Sequence, residues 1–170
     1  MEKDRFSFVP YRGPYETIDN ISKILKNKTY CELGSSNGVL LKYSTKYTTK
    51  SIGVENRPEA YNIAKKNNID CLNIDARYSV LPETDIYYGW LGVYEIERDI
   101  LLNIKKQYSN KIVIFSFSKN VHIEVESYKT HIDWCNKLNI KNETLEIKSF
   151  SEEEYHSHYE NGFFQLVIYV

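Results

Sequence analysis

Short runs of apolar residues alternate along this chain with longer segments in which apolar residues recur at every third or fourth position. The short runs are typical of buried strands, and the longer spacing is typical of a helix with one buried face. The apolar runs predict seven strands, at residues 29–33, 51–55, 71–75, 85–90, 111–117, 144–150 and 163–170. The chain is therefore expected to fold around a sheet.

Helical spacing begins before the first predicted strand and returns between later ones. The predicted helices cover residues 15–27, 59–67 and 121–138, with two more that follow Gly38 and Gly92. Pro58 directly precedes one of these segments, and the first position of a helix is where proline is best tolerated. Strands and helices therefore alternate through most of the chain.

This alternation predicts the way in which the strands are connected. Strands joined through helices form right-handed parallel crossovers, which place helices on both faces of one sheet. The last two strands have no helix between them, so they are expected to pair antiparallel. The seventh strand would then insert beside the fifth, and the sixth would take the sheet edge. The predicted fold class is α/β, a doubly wound, mostly parallel seven-stranded sheet with an antiparallel last strand.

The length of 170 residues is that of one domain. Residues 15–170 are predicted to form a single doubly wound domain. Residues 1–14 carry Phe6, Phe8 and Tyr11 among two prolines and a glycine, which disfavours a helix there. These residues are predicted to form an N-terminal arm or lid.

Charge and cysteine content limit the expected partners and compartment. The chain has 22 Lys and Arg against 23 Asp and Glu, a formal net charge of −1, which lacks the basic field that general nucleic-acid binding requires. No window approaches the roughly 18 apolar residues of a membrane span. The three cysteines are widely spaced and lack zinc-ligand spacing. Buried thiols, no metal and a reducing, cytoplasmic location are therefore expected.

Polar residues that could carry chemistry follow the ends of the predicted strands. In a doubly wound sheet, ligands bind outside the carboxyl ends of the strands, where the strand order reverses. The turn from Gly34 to Gly38 is expected to meet Glu55, Asp75 and Trp90 at that edge. Glycine lets backbone N–H groups of such a turn approach a ligand, because a side chain at Gly34 would obstruct the approach.

The first strand and its turn contain Glu32, Gly34, Ser35, Ser36 and Gly38. From about residue 16 onward the chain resembles the class I S-adenosylmethionine-dependent methyltransferases, in which an acidic residue precedes a turn of the pattern G-x-G-x-G; Ser36 replaces the middle glycine. The resemblance implies a Rossmann-like seven-stranded fold, S-adenosylmethionine as cofactor and methyl transfer as the reaction. It also implies that Glu32 binds the ammonium group of the ligand and that the turn residues, from Gly34 through Gly38, contact it.

Two further acids match later motifs of that family. Glu55 lies about 20 residues beyond Gly34, and an acid at that distance can accept hydrogen bonds from both ribose hydroxyls. This spacing serves NAD as well as S-adenosylmethionine. Asp75, followed by Ala76, resembles the family's third motif, which implies that Asp75 accepts a hydrogen bond from the adenine amino group. Arg77 is an alternative partner for Asp75, in which case adenine would need another acceptor.

The methyl-acceptor side carries fewer sequence signals. Family members that methylate exocyclic amines have Asp, Asn or Ser, two prolines and an aromatic residue after the fourth strand, whereas this chain has Tyr88 and Trp90 there. Tyr11, Tyr88 and Trp90 are predicted to form a catalytic pocket, since aromatic faces attract ammonium and sulfonium groups. Core packing is the other interpretation of Tyr88. The segment from Phe8 to Tyr11 is also similar to a group of protein-lysine methyltransferases, so a protein lysine and a small molecule are both open as acceptors.

Two histidines, His156 and His158, lie among glutamates in residues 151–162. A solvated acidic loop explains them better than a role as general bases does. Methyl transfer from a sulfonium mainly needs alignment and exclusion of water, so the reaction requires neither a nucleophilic triad nor a metal.

Two other functions are compatible with such a chain. A NAD-dependent oxidoreductase is less favoured, because its G-x-G-x-x-G turn would need glycines at Ser36 and Val39. A methyltransferase-like binding or interaction domain without catalysis is the main alternative, because a fold does not by itself establish an activity. The expected function is methyl transfer to an unidentified acceptor, and the sequence does not indicate an oligomeric state.

Overall fold

A seven-stranded sheet with helices on both faces forms the centre of the molecule. The computed structural model describes residues 13–147 and 162–170. Its helices are α1 (Gly13–Asn20), α2 (Ser22–Leu25), α3 (Val39–Ser44), α4 (Pro58–Lys66), α5 (Tyr94–Gln107) and α6 (His122–Lys137). Its strands are β1 (Thr29–Leu33), β2 (Lys50–Val54), β3 (Cys71–Leu72), β4 (Ile86–Gly89), β5 (Ile112–Ser118), β6 (Asn142–Ile147) and β7 (Phe163–Tyr169). None of the helices in these two ranges has the length and apolar character needed to cross a membrane.

The strands follow the order β3-β2-β1-β4-β5-β7-β6 across the sheet. The neighbours from β3 to β5 pair in parallel, whereas β7 runs antiparallel between β5 and β6. The predicted fold is confirmed, including the insertion of β7 beside β5 and the edge position of β6. The strand order reverses at β1, since β2 and β3 lie on one side of it and β4 lies on the other.

Alternate residues of the central strands pack into two cores, one on each face of the sheet. Tyr87 and Phe115 lie in one core, and their chain neighbours Tyr88 and Ile114 lie in the other. All four side chains are buried. Because both faces of these strands are covered, their sequences are continuous apolar runs and do not alternate between apolar and polar residues. Helices α5 and α6 contribute to the first core, and α1 to α4 contribute to the second.

The first helical segment differs from its prediction at both ends. Helix α1 begins at Gly13 rather than at residue 15, and the predicted helix over residues 15–27 is divided into α1 and α2. Pro14 lies in the first turn of α1, where its missing N–H breaks no helical hydrogen bond. Residues 1–12 of the predicted arm, with Phe8 and Tyr11, lie outside the described residues.

Strand β3 is shorter than predicted, ending at Leu72 rather than at residue 75. Among the described strands it lies at the edge of the sheet and pairs only with β2. Beyond it, Nδ2 of Asn73 donates to the backbone carbonyl of Glu55 at 2.8 Å, so a side chain takes over the contact that a longer strand would make. The predicted acidic loop covers residues 151–162, and all of it except Gly162, including His156 and His158, lies outside the described residues.

A buried polar cluster joins α5 and α6 to the segment that follows β4. Glu97 is fully buried and accepts hydrogen bonds from the backbone N–H of Gly92 at 3.0 Å and from the hydroxyl of Ser127 at 2.8 Å. Nε2 of His131, which is also fully buried, lies 2.9 Å from the Glu97 oxygen that Ser127 contacts. One carboxylate therefore fixes both helices and Gly92 to each other.

Replacing Glu97 with alanine is expected to lower the free energy of unfolding by at least about 3 kcal/mol, because three buried partners lose their acceptor. Urea denaturation followed by circular dichroism measures the change. Glu95→Ala, at an exposed position of the same helix, is the control and should change stability by less than about 0.5 kcal/mol. Similar small losses in both variants would contradict the role assigned to Glu97.

Candidate functional site

A cavity of about 410 Å³ lies at the carboxyl ends of β1, β2 and β4, beside the reversal in strand order. The predicted site residues that line it are Glu32, Gly34, Ser35, Ser36, Glu55, Tyr88 and Trp90. A smaller recess of about 90 Å³ adjoins it through a shared wall at Gly34 and contains the predicted Asp75 and Ala76. Gly38 lies at the start of α3 behind the turn, and Tyr11 is outside the described residues.

The turn after β1 has an unusual backbone conformation. Gly34, Ser36 and Gly38 have φ values of 69°, 51° and 82°, which glycine adopts readily and other residues adopt only at a cost. A Cβ atom on Gly34 would lie 2.8 Å from Cδ2 of Leu91, so space as well as conformation requires glycine there. Ser36 stands where the methyltransferase pattern has a glycine, and it retains the left-handed conformation of that position.

The backbone N–H groups of this turn bind other parts of the protein. Gly34 and Ser35 both donate to the carbonyl of Val54, at 2.8 and 3.0 Å. Ser36 donates to Oε2 of Glu55 at 2.8 Å. The expectation that the turn presents its N–H groups to a ligand is therefore not met at these three residues, because β2 and its terminal acid accept all three hydrogen bonds.

Glu32 is the second-last residue of β1 and is only 5% exposed. Among the described residues, no group hydrogen-bonds its Oε2 atom. Burial raises the pKa of Glu32 well above its ordinary value, and the negative charge of Glu55 raises it further. A buried carboxylate oxygen without a partner costs free energy. Its place in the wall of the cavity indicates a ligand that carries a cationic or hydrogen-bond-donating group.

Glu55 is buried as well, but its carboxylate is saturated with hydrogen bonds. Oε1 accepts from the backbone N–H and Nε of Arg57, both at 2.9 Å, and Oε2 accepts from Ser36 and from a terminal nitrogen of Arg57 at 3.1 Å. Burial pushes the pKa of Glu55 upward, but the bonds from Arg57 outweigh it and hold the pKa below its ordinary value. Since a carboxylate has about four lone-pair sites, ribose hydroxyls can bond to Glu55 only if the guanidinium moves away.

Asp75 has the same kind of partner two residues along the chain. The backbone N–H and Nε of Arg77 donate to Oδ1 at 2.9 and 3.0 Å, and a terminal nitrogen donates to Oδ2 at 2.6 Å. The hydrogen bond from the Arg77 side chain lowers the pKa of Asp75. Of the two partners proposed for Asp75 from the sequence, the structure contains the arginine.

Tyr88 directs its hydroxyl into the core beneath the cavity. The hydroxyl lies 3.0 Å from Oγ1 of Thr17 and 2.9 Å from Oγ of Ser116. Burial raises the pKa of Tyr88 to about 12, so the phenol stays neutral. The residue therefore packs within the core and contributes only part of its surface to the cavity wall; a catalytic role for it stays a prediction.

Trp90 forms another part of the wall together with Glu124, a residue that the sequence analysis missed. Its indole Nε1 donates to Oε2 of Glu124 at 2.9 Å, and the same oxygen accepts the backbone N–H of Ser118 at 2.6 Å. The indole packs edge-on against the ring of Phe163, with centroids 4.9 Å apart. Glu124 lies in the first turn of α6. Its position just after the carboxyl end of a parallel strand is the signal that could have identified it.

The ionisable side chains around the cavity are mostly acidic. Among the described residues that line it, three are acidic, Glu32, Glu55 and Glu124, and one is basic, Arg57. Arg57 is paired with Glu55. Within residues 13–147 and 162–170, no three His, Cys, Asp or Glu side chains are grouped to hold a metal ion. Acidic side chains therefore outnumber basic ones in the described lining of the cavity.

Several solved structures share this arrangement of strands and helices. Ribosomal protein L11 methylase from Lactobacillus delbrueckii subsp. bulgaricus matches with a TM-score of 0.67 and 13% identity, over 95% of this chain and 79% of that one. N-methyltransferase NodS from Bradyrhizobium japonicum WM9 matches with a TM-score of 0.67 and 11% identity, over 99% and 98%, and it is also known in complex with S-adenosylhomocysteine. The tRNA (m1A58) methyltransferase TrmI from Aquifex aeolicus matches with a TM-score of 0.67 and 17% identity, over 100% and 73%.

No protein-family model matches the sequence, and neither does any curated protein. At identities of 11–17%, the likeness to solved structures concerns the fold. It agrees with the resemblance in the motifs and with the observed strand order. The chain has the fold of the class I S-adenosylmethionine-dependent methyltransferases.

Proposed function

We propose that the protein binds S-adenosylmethionine in the 410 Å³ cavity and transfers its methyl group to an acceptor. The carboxylate of Glu32 is the observation that carries this proposal. It lies near the end of β1 in a methyltransferase fold and lines the cavity, and its Oε2 has no partner among the described residues. S-adenosylmethionine supplies an electrophilic methyl group on a positively charged sulfur. The protein itself binds, aligns and shields the reacting groups.

Glu32 suits the ammonium group of the amino-acid part of this ligand. Hydrogen bonds between charged groups are stronger than neutral ones, and a nearby positive charge favours the ionised form of a carboxylate. Ligand binding would therefore offset the cost of burying Glu32. This complementarity also explains why an unpartnered acid is present at the end of a buried strand.

The adenosine part fits Glu55 and the smaller recess. The side chain of Arg57 is 49% exposed, so its guanidinium can turn toward water and leave acceptor sites on Glu55 to the ribose hydroxyls. The apolar residues of the recess suit a flat base; they are Ile74, Leu91, Ile96 and Ile100. Asp75 lies in the same recess, but Arg77 donates to both of its carboxylate oxygens, so the adenine amino group would bond to Asp75 only if that guanidinium moves away.

A protein lysine or a small molecule is the proposed acceptor. The similar structures include enzymes named for a ribosomal protein and for a tRNA, and a shared fold does not decide the acceptor. The structural neighbours do not favour a NAD-dependent oxidoreductase or a binding domain without catalysis. Phe8 and Tyr11 of the N-terminal arm are proposed to cover the site.

The free thiols of Cys31, Cys71 and Cys135 are all buried. Protein thiols persist unpaired in reducing compartments. This observation supports the proposal of a cytoplasmic location.

Glu32→Gln tests the ligand contact and the cost of the buried acid together. Binding of S-adenosylhomocysteine is expected to weaken by about tenfold or more, because a charge-assisted contact is lost. The raised pKa of Glu32 means that the unliganded wild type loses stability as the pH rises through that pKa, whereas a neutral glutamine does not. The variant should therefore have the higher Tm above neutral pH and a similar Tm near pH 4.

Calorimetric titration with S-adenosylhomocysteine and thermal unfolding between pH 4 and pH 9 measure both effects. Glu59→Gln, at an exposed position of α4, is the matched control for loss of one carboxylate. Unchanged affinity of Glu32→Gln for S-adenosylhomocysteine would disprove the ammonium contact, regardless of any change in Tm.

Glu55→Gln and Arg57→Ala are expected to have opposite effects on the same titration. Glu55→Gln removes the ionised acceptor and should weaken binding by about tenfold. Arg57→Ala removes the group that competes with the ribose hydroxyls, so affinity should stay equal to that of the wild type or increase. Weaker binding in Arg57→Ala would show that the arginine contacts the ligand instead of making way for it.

A further inference from the structure

We infer that the amino-terminal edge of the sheet, at the opposite end from the cavity, binds the phosphate backbone of a nucleic-acid strand. Strands β1 to β6 all run in the same direction, so the segments that lead into them meet at this edge. These segments form the basic edge; they are residues 23–28, 45–50, 65–70, 82–85, 105–111 and 137–141. The inference goes beyond the proposed methyl transfer and does not depend on it.

The basic edge has a strong excess of lysine. It contains twelve of the 22 Lys and Arg of the chain but only three of its 23 Asp and Glu. The formal net charge of −1 averages over this edge and the rest of the molecule. A chain without a net basic charge can therefore still have a basic surface.

The basic edge is electrostatically separate from the cavity. Strands β1, β2 and β4 have four or five residues each, which at about 3.3 Å per residue places about 15 Å between the two ends of the sheet. The Debye length is about 8 Å at physiological ionic strength. A polyanion at the basic edge is therefore little affected by the acidic residues that line the cavity.

Two loops joined by hydrogen bonds form the centre of the basic edge. The backbone N–H of Asn27 donates to the carbonyl of Tyr47 at 3.2 Å. The backbone N–H of Thr49 donates to the carbonyl of Lys28 at 2.9 Å. The two loops carry four exposed lysines close together, Lys26, Lys28, Lys46 and Lys50.

The acids beside these loops do not neutralise the four lysines. Asp85 accepts hydrogen bonds from the backbone N–H and the hydroxyl of Thr29, at 2.8 and 2.9 Å. Asp19 accepts a hydrogen bond from the hydroxyl of Tyr47 at 2.6 Å. Hydrogen bonds from Thr29 lower the pKa of Asp85, and the charge of Lys28 lowers it further. Among the described residues, none of the four lysines forms an ion pair.

Helix dipoles explain only part of the lysine content. Lysine is favoured in the last turn of a helix, where free carbonyl groups concentrate negative charge, and six of the twelve lysines lie in such turns. Lys28 and Lys141 instead lie directly before a strand, and Lys50 is the first residue of one. Like charges at one surface repel each other, so their accumulation beyond the helix ends favours a polyanionic partner.

The extent of the basic edge and its lack of apolar groups favour nucleic acid over a membrane. Six strand spacings of about 4.8 Å separate β3 from β6, a distance of about 29 Å and the length of about eight nucleotides at a rise of 3.4 Å. Proteins that lie on membranes insert apolar side chains between the lipids. In the basic edge, Leu138 is the one large apolar residue that is exposed among the described residues.

The salt dependence of oligonucleotide binding tests this inference. Fluorescence anisotropy with labelled (U)12 measures affinity between 50 and 200 mM NaCl. The slope of log affinity against log salt concentration is expected to be about −3 or steeper, because each phosphate contact with a single strand contributes about −0.7. The oligonucleotide (U)4 should bind about tenfold more weakly than (U)12, because it is too short to cover the basic edge.

The double variant Lys28→Gln with Lys50→Gln should lose two phosphate contacts. Its salt slope should be shallower by about 1.4, and its affinity for (U)12 at 100 mM NaCl should fall by about tenfold or more. Lys42→Gln with Lys129→Gln removes the same charge at exposed positions outside the basic edge and should change neither quantity appreciably. An equal loss in this control pair would overturn the inference, because net charge alone would then explain binding.

A second pair keeps the test decisive if the first double variant does not fold. Lys137→Gln with Lys141→Gln lies at the other end of the basic edge and should weaken (U)12 binding in the same direction. Wild-type protein that does not bind (U)12 at 50 mM NaCl would overturn the inference. Tighter binding to phosphatidylserine vesicles than to (U)12, or displacement of (U)12 by poly-L-glutamate as readily as by unlabelled (U)12, would also overturn it. None of these outcomes bears on methyl transfer, because the reactions contain no S-adenosylmethionine.

Discussion

The reversal of strand order at β1 is the constraint on which the site depends. β1 has a parallel neighbour on each side, and the connections from those neighbours leave the sheet in different directions. The connections after β1 and β4 therefore leave a cavity at the carboxyl end of β1. The end of β1 is thereby both buried by its neighbours and accessible to a ligand, and Glu32 lies next to that end.

Burial of charge at this place has consequences for the surrounding residues. Glu32 and Glu55 lie close enough for each charge to oppose the other, and their burial has to be offset. Arg57 offsets the burial of Glu55 with a bidentate contact. Among the described residues, no group hydrogen-bonds Oε2 of Glu32. The strained φ of Ser36 is offset in a similar way, since the conformation aims the Ser36 N–H at Glu55. The unliganded site therefore carries a free-energy cost from the buried, unpartnered oxygen of Glu32, and a cationic ligand would reduce that cost.

The sequence predicted those features that are set by local chemistry or by periodicity. Apolar runs located the strands, the missing helix identified the antiparallel last strand, and the Glu32 to Gly38 pattern located the cavity. Features set by long-range contacts were not predictable in the same way. Strand alternation places Tyr88 on one face of the sheet but does not show that its hydroxyl meets Thr17. Glu124 was missed because a single acid in a helical first turn resembles an ordinary helix start.

The pairing of Arg57 with Glu55 shows a second limit of motif analysis. From the sequence, Arg77 is an alternative to adenine as the partner of Asp75, because it lies two residues away. Arg57 lies at the same distance from Glu55, and both arginines pair with their acids in the structure. The motif predicts a ligand role for Glu55 but does not predict its pairing with Arg57. A motif identifies residues that can bind a ligand, whereas the unliganded structure shows which intramolecular bonds the ligand has to replace.

The segment after β4 is stiffened from two sides by buried or hydrogen-bonded acids. Glu97 of α5 holds the backbone N–H of Gly92, and Glu124 of α6 holds the indole of Trp90. Leu91 lies between these two anchors and closes on Gly34, where even one added carbon atom would clash. The two helices therefore set the distance between the cavity wall at Trp90 and the turn after β1. Since methyl transfer depends on alignment of the reacting atoms more than on acid or base strength, this fixed spacing is what the fold would contribute to the proposed reaction.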